Sequence, residues 1–155
     1  MAPEPDLAPA RRGSGASTGH RRRRHARRLA IEILYQADVM TRAPREVLDE
    51  WTNAGRSIPT YTTELVRAVE GGTADIDRTL EANSEEWPVH RMATLDRTIL
   101  RVACQELRAG LPPAVAINEA VEAANELSSD DSGRFINGVL GKVARDMAGS
   151  PSGSG

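Results

Sequence analysis

A chain of 155 residues has the length of one domain. Hydrophobic residues make up 39% of it, but it has only one Phe, two Trp and two Tyr. An aliphatic core favours packed helices over strands, which are enriched in aromatic and β-branched residues. The apolar runs are too short for a membrane span or a signal peptide, and the single cysteine, Cys104, cannot form an internal disulfide, so we expect a cytoplasmic protein.

The charge is distributed unevenly along the chain. Residues 1–28 contain eight arginines and two acids, a net charge of +6, whereas the remainder contains 12 basic and 20 acidic residues, a net charge of −8. A basic arm on an acidic body is typical of proteins that bind nucleic acid.

Both ends of the chain are predicted to be disordered. Residues 1–20 and 149–155 are rich in Pro, Gly, Ala and Ser, and they contain too few large apolar side chains to order themselves. One helical domain is therefore expected over residues 21–148.

Within this domain the apolar residues recur at helical spacing, and no stretch alternates as a strand would. Prolines and glycines divide the pattern into about six or seven helices, which predicts an all-α fold. The first helix is expected from about Arg23. The long segment after Thr60 should kink or break at Gly71–Gly72, and Asp131 or Ser132 should cap the last helix.

The segment from Leu95 to Leu107 is apolar around more than half of its helical circumference. This pattern predicts a central helix packed on several sides. Glu106 lies in the middle of the apolar face, and a buried carboxylate must be paired to stay charged. We interpret Glu106 as a structural partner of an arginine or a helix N-terminus rather than as a catalytic acid.

Signatures of catalysis are absent from the sequence. It has no glycine-rich phosphate loop, no nucleophile elbow, and no paired Cys or His at metal-ligand spacing. No catalytic residue, metal or cofactor is therefore predicted, and the chain is not expected to be an enzyme.

The strongest functional signal is the stretch GHRRRRHARRLAIEILYQAD, which places six arginines directly before an apolar helix face. On a helix, Arg24, Arg28 and Tyr35 share the solvent face, and Arg27 lies at its boundary. Arginines near a tyrosine can contact phosphates and stack on bases, which suits single-stranded RNA. A merely solvated or membrane-surface basic arm is the alternative.

The second signal is Phe135, the only phenylalanine, in the first turn of the last helix. It is predicted to point about 100° away from the core stripe, beside Arg134 and the free N–H groups of the turn, which can bind phosphate. The ring either stacks on a base or covers the neighbouring helix. Gly138 and Gly141 face away from the stripe, so the first helix or a partner chain is expected to approach them closely.

Three stretches together resemble the NusB family: RRRHARRLAIEILYQ, LDRTILRVACQEL and AVAINEAVEAANELSSDDSGRFINGVLGKV. The resemblance implies an all-helical fold of two packed halves. It also implies binding of boxA-type RNA together with NusE, a ribosomal small-subunit protein. The complex then joins an antitermination assembly on RNA polymerase during ribosomal RNA transcription.

The resemblance implies site residues as well. Arg23, Arg24 and Arg27 match the RNA-contacting basic segment, and Arg28 extends it where the family is expected to have an acidic residue. A NusE surface is implied near HRMATLDRTILR. The other residues of the implied RNA surface are Tyr35, Asp131, Ser132, Arg134 and Phe135.

The arm and the start of the last helix are far apart in sequence. They can form one RNA surface only if the first and last helices pack side by side, which is our hypothesis for this fold.

Two other functions remain open. One is a protein-interaction module, as a single chain or a homodimer, in which the arm only solubilises. The other is a stand-alone relative of the NusB-like domain of ribosomal RNA methyltransferases, an enzyme that needs a further nucleotide-binding domain. Salt separates the RNA-binding function from the interaction module, because about five phosphate contacts predict a slope near −3.5 of log affinity against log salt.

Overall fold

The computed structural model describes the backbone of residues 7–149 and the side chains of residues 18–149. This part forms six α-helices, one turn of 3-10 helix and no strand. The α-helices are α1 (Leu7–Met40), α2 (Pro44–Asn53), α3 (Thr60–Ala82), α4 (Thr94–Arg108), α5 (Pro113–Leu127) and α6 (Asp130–Gly149), and the 3-10 turn is Val89–Arg91.

The helices form two halves, as predicted. In the first half α1, α2 and α3 pack on one another, and in the second half α4, α5 and α6 do the same. The halves are joined mainly through α4, which also packs on α1 and α3.

The central position of α4 follows from its wide apolar face. Ile99 and Leu100 are fully buried, together with Ile33 and Ile76 of the first half and Leu140 of the second. Burying each such side chain stabilises the fold by about 1.5–3 kcal/mol relative to leaving it exposed. The shared core therefore makes one body of the two halves.

Most helix ends lie where the sequence places them. Pro44 and Pro113 begin α2 and α5, where a proline costs no hydrogen bond. Gly110 has a φ of +98° directly after α4, a conformation that favours glycine. The sequence predicts a kink or break at Gly71–Gly72, and a break is wrong, because α3 runs without interruption through both glycines.

The first helix is longer than the periodicity indicates. It begins at Leu7, so residues 7–20 belong to α1, whereas their composition predicts disorder. Alanine and arginine have high helix propensity, and adding residues to an existing helix costs far less than starting one. The predicted disorder of residues 1–6 and 150–155 lies outside the described residues, and the domain boundaries stay a prediction.

Candidate nucleic-acid interface

The basic arm lies on α1, and among its arginines whose side chains the structure describes, residues 21–28, three face solvent. Arg21, Arg22 and Arg23 are exposed. The guanidinium carbon of Arg23 lies 4.3 Å from the centre of the Tyr61 ring on α3, a cation–π contact that holds this side chain over the first half. These three positive charges are available to an anion.

Arg24 also belongs to the arm, but carboxylates of α5 already bind it. Its Nε and Nη2 donate to the two oxygens of Glu119 at 3.1 and 3.0 Å, and Nη2 lies 2.8 Å from Glu122. The hydrogen bond to Glu119 raises the pKa of Arg24, since it favours the charged guanidinium. Arg24 can therefore meet a phosphate only by sharing or exchanging these partners.

Arg28 makes the next contact along the same two helices. Its Nη1 donates to Glu126 at 2.5 Å, and this hydrogen bond lowers the pKa of the Glu126 carboxyl. The Glu126 side chain is largely exposed, whereas the Arg28 side chain is mostly covered. Glu119, Glu122 and Glu126 thus form a row on α5 that runs beside the arm, which we call the α5 carboxylate row.

Arg27 is buried, whereas the helical spacing predicts it at the boundary of the solvent face. It is only 3% exposed, and its Nε lies 2.9 Å from both oxygens of Glu106. Its Nη1 also donates to Glu119 at 3.3 Å. Burial alone would lower the pKa of Arg27, but the hydrogen bond and charge of Glu106 outweigh it and the pKa is raised. The fold encloses and neutralises the Arg27 guanidinium, so this structure leaves no free guanidinium there for the predicted RNA contact, which stays a prediction.

Glu106 has the structural role that its position on the apolar face predicts. Besides Arg27, it accepts a hydrogen bond of 2.5 Å from the Tyr61 hydroxyl. Burial and this hydrogen bond raise the pKa of Tyr61 to about 12. Both carboxylate oxygens are therefore engaged within the protein, and the interpretation of Glu106 as a paired structural residue is confirmed.

Tyr35 lies two turns further along α1 than Arg28, on the face that the helical spacing predicts. It is 40% exposed, and Val39, one turn later, is also exposed. The aromatic face of Tyr35 is therefore accessible to a partner.

The second predicted patch is the start of α6. Asp131 and Arg134 are exposed and form an ion pair with each other, and Ser132 is half-buried. The predicted cap at Asp131 or Ser132 is wrong, because Ser129 takes this role: its hydroxyl accepts the Ser132 N–H at 3.1 Å. The polar side chains of this patch are thus held within the first turn of the helix.

Phe135 is half-buried and packs against the core, while part of it borders a cleft between α6 and the connection from α3 to α4. The same cleft is bordered by Trp87, which is 47% exposed. Sequence reasoning missed Trp87. The sequence signal that could have identified Trp87 is a large aromatic residue in the polar connection SEEWP, which has no helical pattern of apolar residues to explain it.

The structure does not support the hypothesis that the first and last helices pack side by side. The main neighbours of α1 are α2, α3 and α4, whereas α6 packs mainly on α5 and α4. The arm instead reaches the second half through its side chains, which bridge to the α5 carboxylate row.

Within this chain, the first helix does not approach Gly138 and Gly141 of α6 as closely as the sequence predicts. A Cβ on Gly138 would meet no atom within 4 Å, and one on Gly141 would meet only the end of the Arg145 side chain. The close approach is at Gly133, where a Cβ would overlap the side-chain amide of Asn125 on α5. The absence of a side chain at Gly133 therefore allows α5 and α6 to pack closely.

The segment implied to bind NusE, residues 90–101, is only partly accessible. Arg97 pairs with Asp38 at 2.8 Å, and Arg101 pairs with Asp77 at 2.8 Å, so both are tied into the fold. The exposed residues of the segment are His90, Arg91 and Ala93.

Within the described residues no group of three or more His, Cys, Asp or Glu side chains is arranged to hold a metal ion. In the same part of the chain, no helix combines the length and the apolar character needed to cross a membrane.

Together, the fold and these surfaces define an all-helical protein of two three-helix halves with a cationic helical arm. The NusB family model matches residues 24–145, which is most of the chain. The chain belongs to the NusB family.

The relatives and solved structures agree with this assignment. The transcription antitermination protein NusB of Kineococcus radiotolerans is 41% identical over 125 residues, which cover 79% of this chain and 92% of the relative. The NusB of Geotalea daltonii is 38% identical over 139 residues, covering 81% and 95%.

Solved structures show the same fold. The NusB of T. maritima has a TM-score of 0.70 and 26% identity, covering 80% of this chain and 91% of that one. A structure of antitermination factors NusB and NusE in complex with double-stranded RNA gives a TM-score of 0.71 at 23% identity, covering 81% and 97%.

Proposed function

We propose that this chain is a transcription antitermination factor that binds boxA-type single-stranded RNA and catalyses no reaction. It binds this RNA in the cytoplasm together with NusE, the ribosomal small-subunit protein. The complex then joins an antitermination assembly on RNA polymerase during ribosomal RNA transcription.

The observation that carries the proposal is the exposed charge of the arm. Arg21, Arg22 and Arg23 place three guanidinium groups on the surface of one helix, next to Arg24. Like charges this close repel one another, which costs stability unless a ligand neutralises them. A phosphate chain supplies negative charge at a matching density.

Single-stranded rather than duplex RNA is favoured by the aromatic residues. Tyr35 is exposed, and Phe135 borders an open cleft. Unpaired bases can stack on such rings, whereas the bases of a duplex already stack on one another. The relatives with about 40% identity are transcription antitermination proteins, which supports the biological role.

The proposal is tested by titrating a boxA-type oligonucleotide with the protein at several salt concentrations, with and without NusE. Arg27 is buried, so four arginine–phosphate contacts are expected instead of five, and log affinity should fall with log salt at a slope of about −2.8. Replacing Arg21 and Arg22 by Ala should reduce the slope by about 1.4.

The matched control is the double variant Arg45→Ala/Arg78→Ala, which removes the same charge from exposed positions on α2 and α3. It should leave the slope nearly unchanged. A flat salt response of the parent, or no binding even with NusE, would contradict the proposal and favour the protein-interaction module, and sedimentation would then show whether the module is a homodimer.

Protein interaction also has a specific observation in its favour. Tyr35, Val39 and Met40 expose apolar surface near the end of α1. Such a patch suits a protein partner, NusE or a second copy of the chain. Replacing Val39 and Met40 by Ser should weaken that association without changing the salt slope of RNA binding, because neither residue carries charge.

A further inference from the structure

Glu119 differs from the other two carboxylates of the α5 carboxylate row. Its side chain is only 5% exposed, whereas those of Glu122 and Glu126 are 49% and 58% exposed. Burying a carboxylate is costly unless hydrogen bonds and opposite charges compensate for the lost water. Burial alone would raise the pKa of Glu119, but the hydrogen bond and charge of Arg24 outweigh it, so the pKa is lowered and the carboxylate stays ionised.

Three partners of Glu119 lie on one face of the basic arm. His20, Arg24 and Arg27 are spaced four and three residues apart on α1, so they share the side of the helix that faces α5. Their distances to the Glu119 carboxylate are 3.2, 3.0 and 3.3 Å, in that order. One buried acid of the second half thus fixes about two turns of the arm.

Arg24 is held along one edge of its guanidinium group. Its Nε and Nη2 donate to the two Glu119 oxygens, an arrangement that fixes the plane of the group as well as its position. The side chain is nevertheless 36% exposed. Its hydrogen bonds within the described residues are made by Nε and Nη2, which leaves the N–H groups of Nη1 for another acceptor.

This arrangement prepares Arg24 for a phosphate. A guanidinium presents five N–H groups in a planar fork, so it can bind a carboxylate along one edge and a phosphate oxygen at another. An arginine that the protein already holds in place also loses less freedom when it binds a ligand. Arg24 can therefore meet a phosphate without releasing Glu119.

We propose that Glu119 is a positioning residue for RNA binding, which holds Arg24 by its Nε–Nη2 edge so that Nη1 meets a phosphate of the strand. Glu119 itself does not contact the RNA. The competition of the α5 carboxylate row with the RNA is then due to its exposed members, Glu122 and Glu126. This inference rests on the proposed RNA binding, because it assigns the way in which one arm arginine contacts that ligand.

The proposal is tested by the sign of the effect when one charge is removed. Glu119→Gln and Glu122→Gln each remove a negative charge beside Arg24, and by electrostatic repulsion alone both should strengthen RNA binding. We expect this of Glu122→Gln, the matched control. Glu119→Gln should instead weaken binding of a labelled boxA-type oligonucleotide about two- to tenfold, the cost of fixing one free arginine side chain. Fluorescence anisotropy measures the affinities, and urea unfolding shows whether both variants fold cooperatively.

A double-variant cycle separates positioning from a general effect on the fold. In the Arg24→Ala background no guanidinium is left at this position for Glu119 to orient. Adding Glu119→Gln should therefore not weaken RNA binding any further. A purely structural role of Glu119 would weaken binding by the same factor in both backgrounds.

Nuclear magnetic resonance of the parent protein tests the shared contact directly. In isotope-labelled protein, the Nε–H signal of Arg24 is identified by its absence from Arg24→Ala. We expect this proton to stay protected from exchange with solvent when saturating boxA-type RNA is added, because Glu119 keeps that edge. The measurement needs no variant at Glu119, so it decides the question even if Glu119→Gln does not fold.

Three results would overturn the inference while the proposed function stands. They are RNA binding by a folded Glu119→Gln that equals or exceeds that of the parent, equal weakening in both backgrounds, and loss of the protected Arg24 Nε–H signal when RNA binds. If the parent binds no RNA, or binds it with a flat salt response, the proposed function is wrong and the inference with it.

Discussion

Arg27 of α1 and Glu106 of α4 form a buried ion pair, in which Arg27 Nε lies 2.9 Å from each Glu106 oxygen and Nη2 lies 2.8 Å from Oε2. The pair joins the two halves of the fold at the base of the basic arm. One arginine of the run therefore belongs to the interior, while Arg21, Arg22 and Arg23 face solvent.

The first prediction concerns the stability of this pair. Arg27→Met should lower the free energy of unfolding by about 3–5 kcal/mol, because it leaves the Glu106 charge buried without its main partner. The double variant Arg27→Met/Glu106→Gln should lose less, since the remaining amide is neutral and can still accept the Tyr61 hydrogen bond. Urea unfolding measures both.

The same double variant tests the role of Arg27 in RNA binding. If Arg27 is only structural, the folded double variant should bind a boxA-type oligonucleotide with the affinity and salt slope of the parent. A slope that is lower by about 0.7 would show that Arg27 contacts a phosphate after a rearrangement of the arm. A loss of stability below about 1 kcal/mol for Arg27→Met would show that the pair contributes no more than a surface ion pair.

The second prediction concerns pH and follows from Tyr61. Its pKa is raised from 10.0 to about 12 in the folded protein. Between these values the folded state keeps a proton that the unfolded state has released. This contribution to stability is therefore complete below about pH 10 and is lost as the pH rises through about 12.

Tyr61→Phe keeps the ring under Arg23 but removes the titrating hydroxyl. Cys104, whose pKa burial raises to about 11, changes stability in the same direction but is present in both proteins. The urea midpoint of the parent should therefore fall more steeply than that of Tyr61→Phe between about pH 9 and about pH 11. Parallel curves would show that the Tyr61 hydroxyl titrates alike in the folded and unfolded states.

The third prediction is that the α5 carboxylate row competes with RNA for the arm. Glu126 binds Arg28 at 2.5 Å, yet the Arg28 Nη2 is buried without a hydrogen-bond partner among the described residues. The guanidinium is thus only partly satisfied by the protein. Glu126→Gln removes the competing charge and its repulsion of the phosphates, so RNA affinity should rise about two- to fivefold.

Glu50→Gln is the matched control for Glu126→Gln. Glu50 is similarly exposed and binds an arginine, Arg42, at 2.6 Å, but it lies on α2. Its replacement changes the net charge equally and should leave RNA affinity nearly unchanged. Weaker RNA binding by Glu126→Gln would show that the carboxylate positions Arg28 for the RNA instead of competing with it.

Much of the fold could be predicted because it depends on local patterns. Helical periodicity, with Pro44, Pro113 and Gly110 at the ends, determines which segments are helices. The wide apolar face of α4 also predicts that Glu106 is buried and paired. These inferences need only the direction of a side chain on its own helix.

The candidate site could be predicted less well because it depends on contacts between distant residues. The helical spacing places Arg27 at the edge of the solvent face, and only its partner 79 residues away shows that it is buried. Likewise, no pattern on α1 indicates that α5 supplies carboxylates to Arg24 and Arg28. Trp87 lies in a connection without periodicity, so its place beside Phe135 follows from the tertiary fold alone.

The last prediction compares two glycines of α6. Gly138 lies in the middle of the helix with open space around its Cα, so Gly138→Ala should raise the free energy of unfolding by about 0.5–1 kcal/mol through lower backbone entropy of the unfolded chain. Gly133→Ala should lower it, because the new methyl group overlaps the Asn125 side chain. Adding Asn125→Ala to Gly133→Ala should recover part of the loss. Thermal and urea unfolding measure all three variants, and a destabilised Gly138→Ala would show that another part of the chain approaches α6 there.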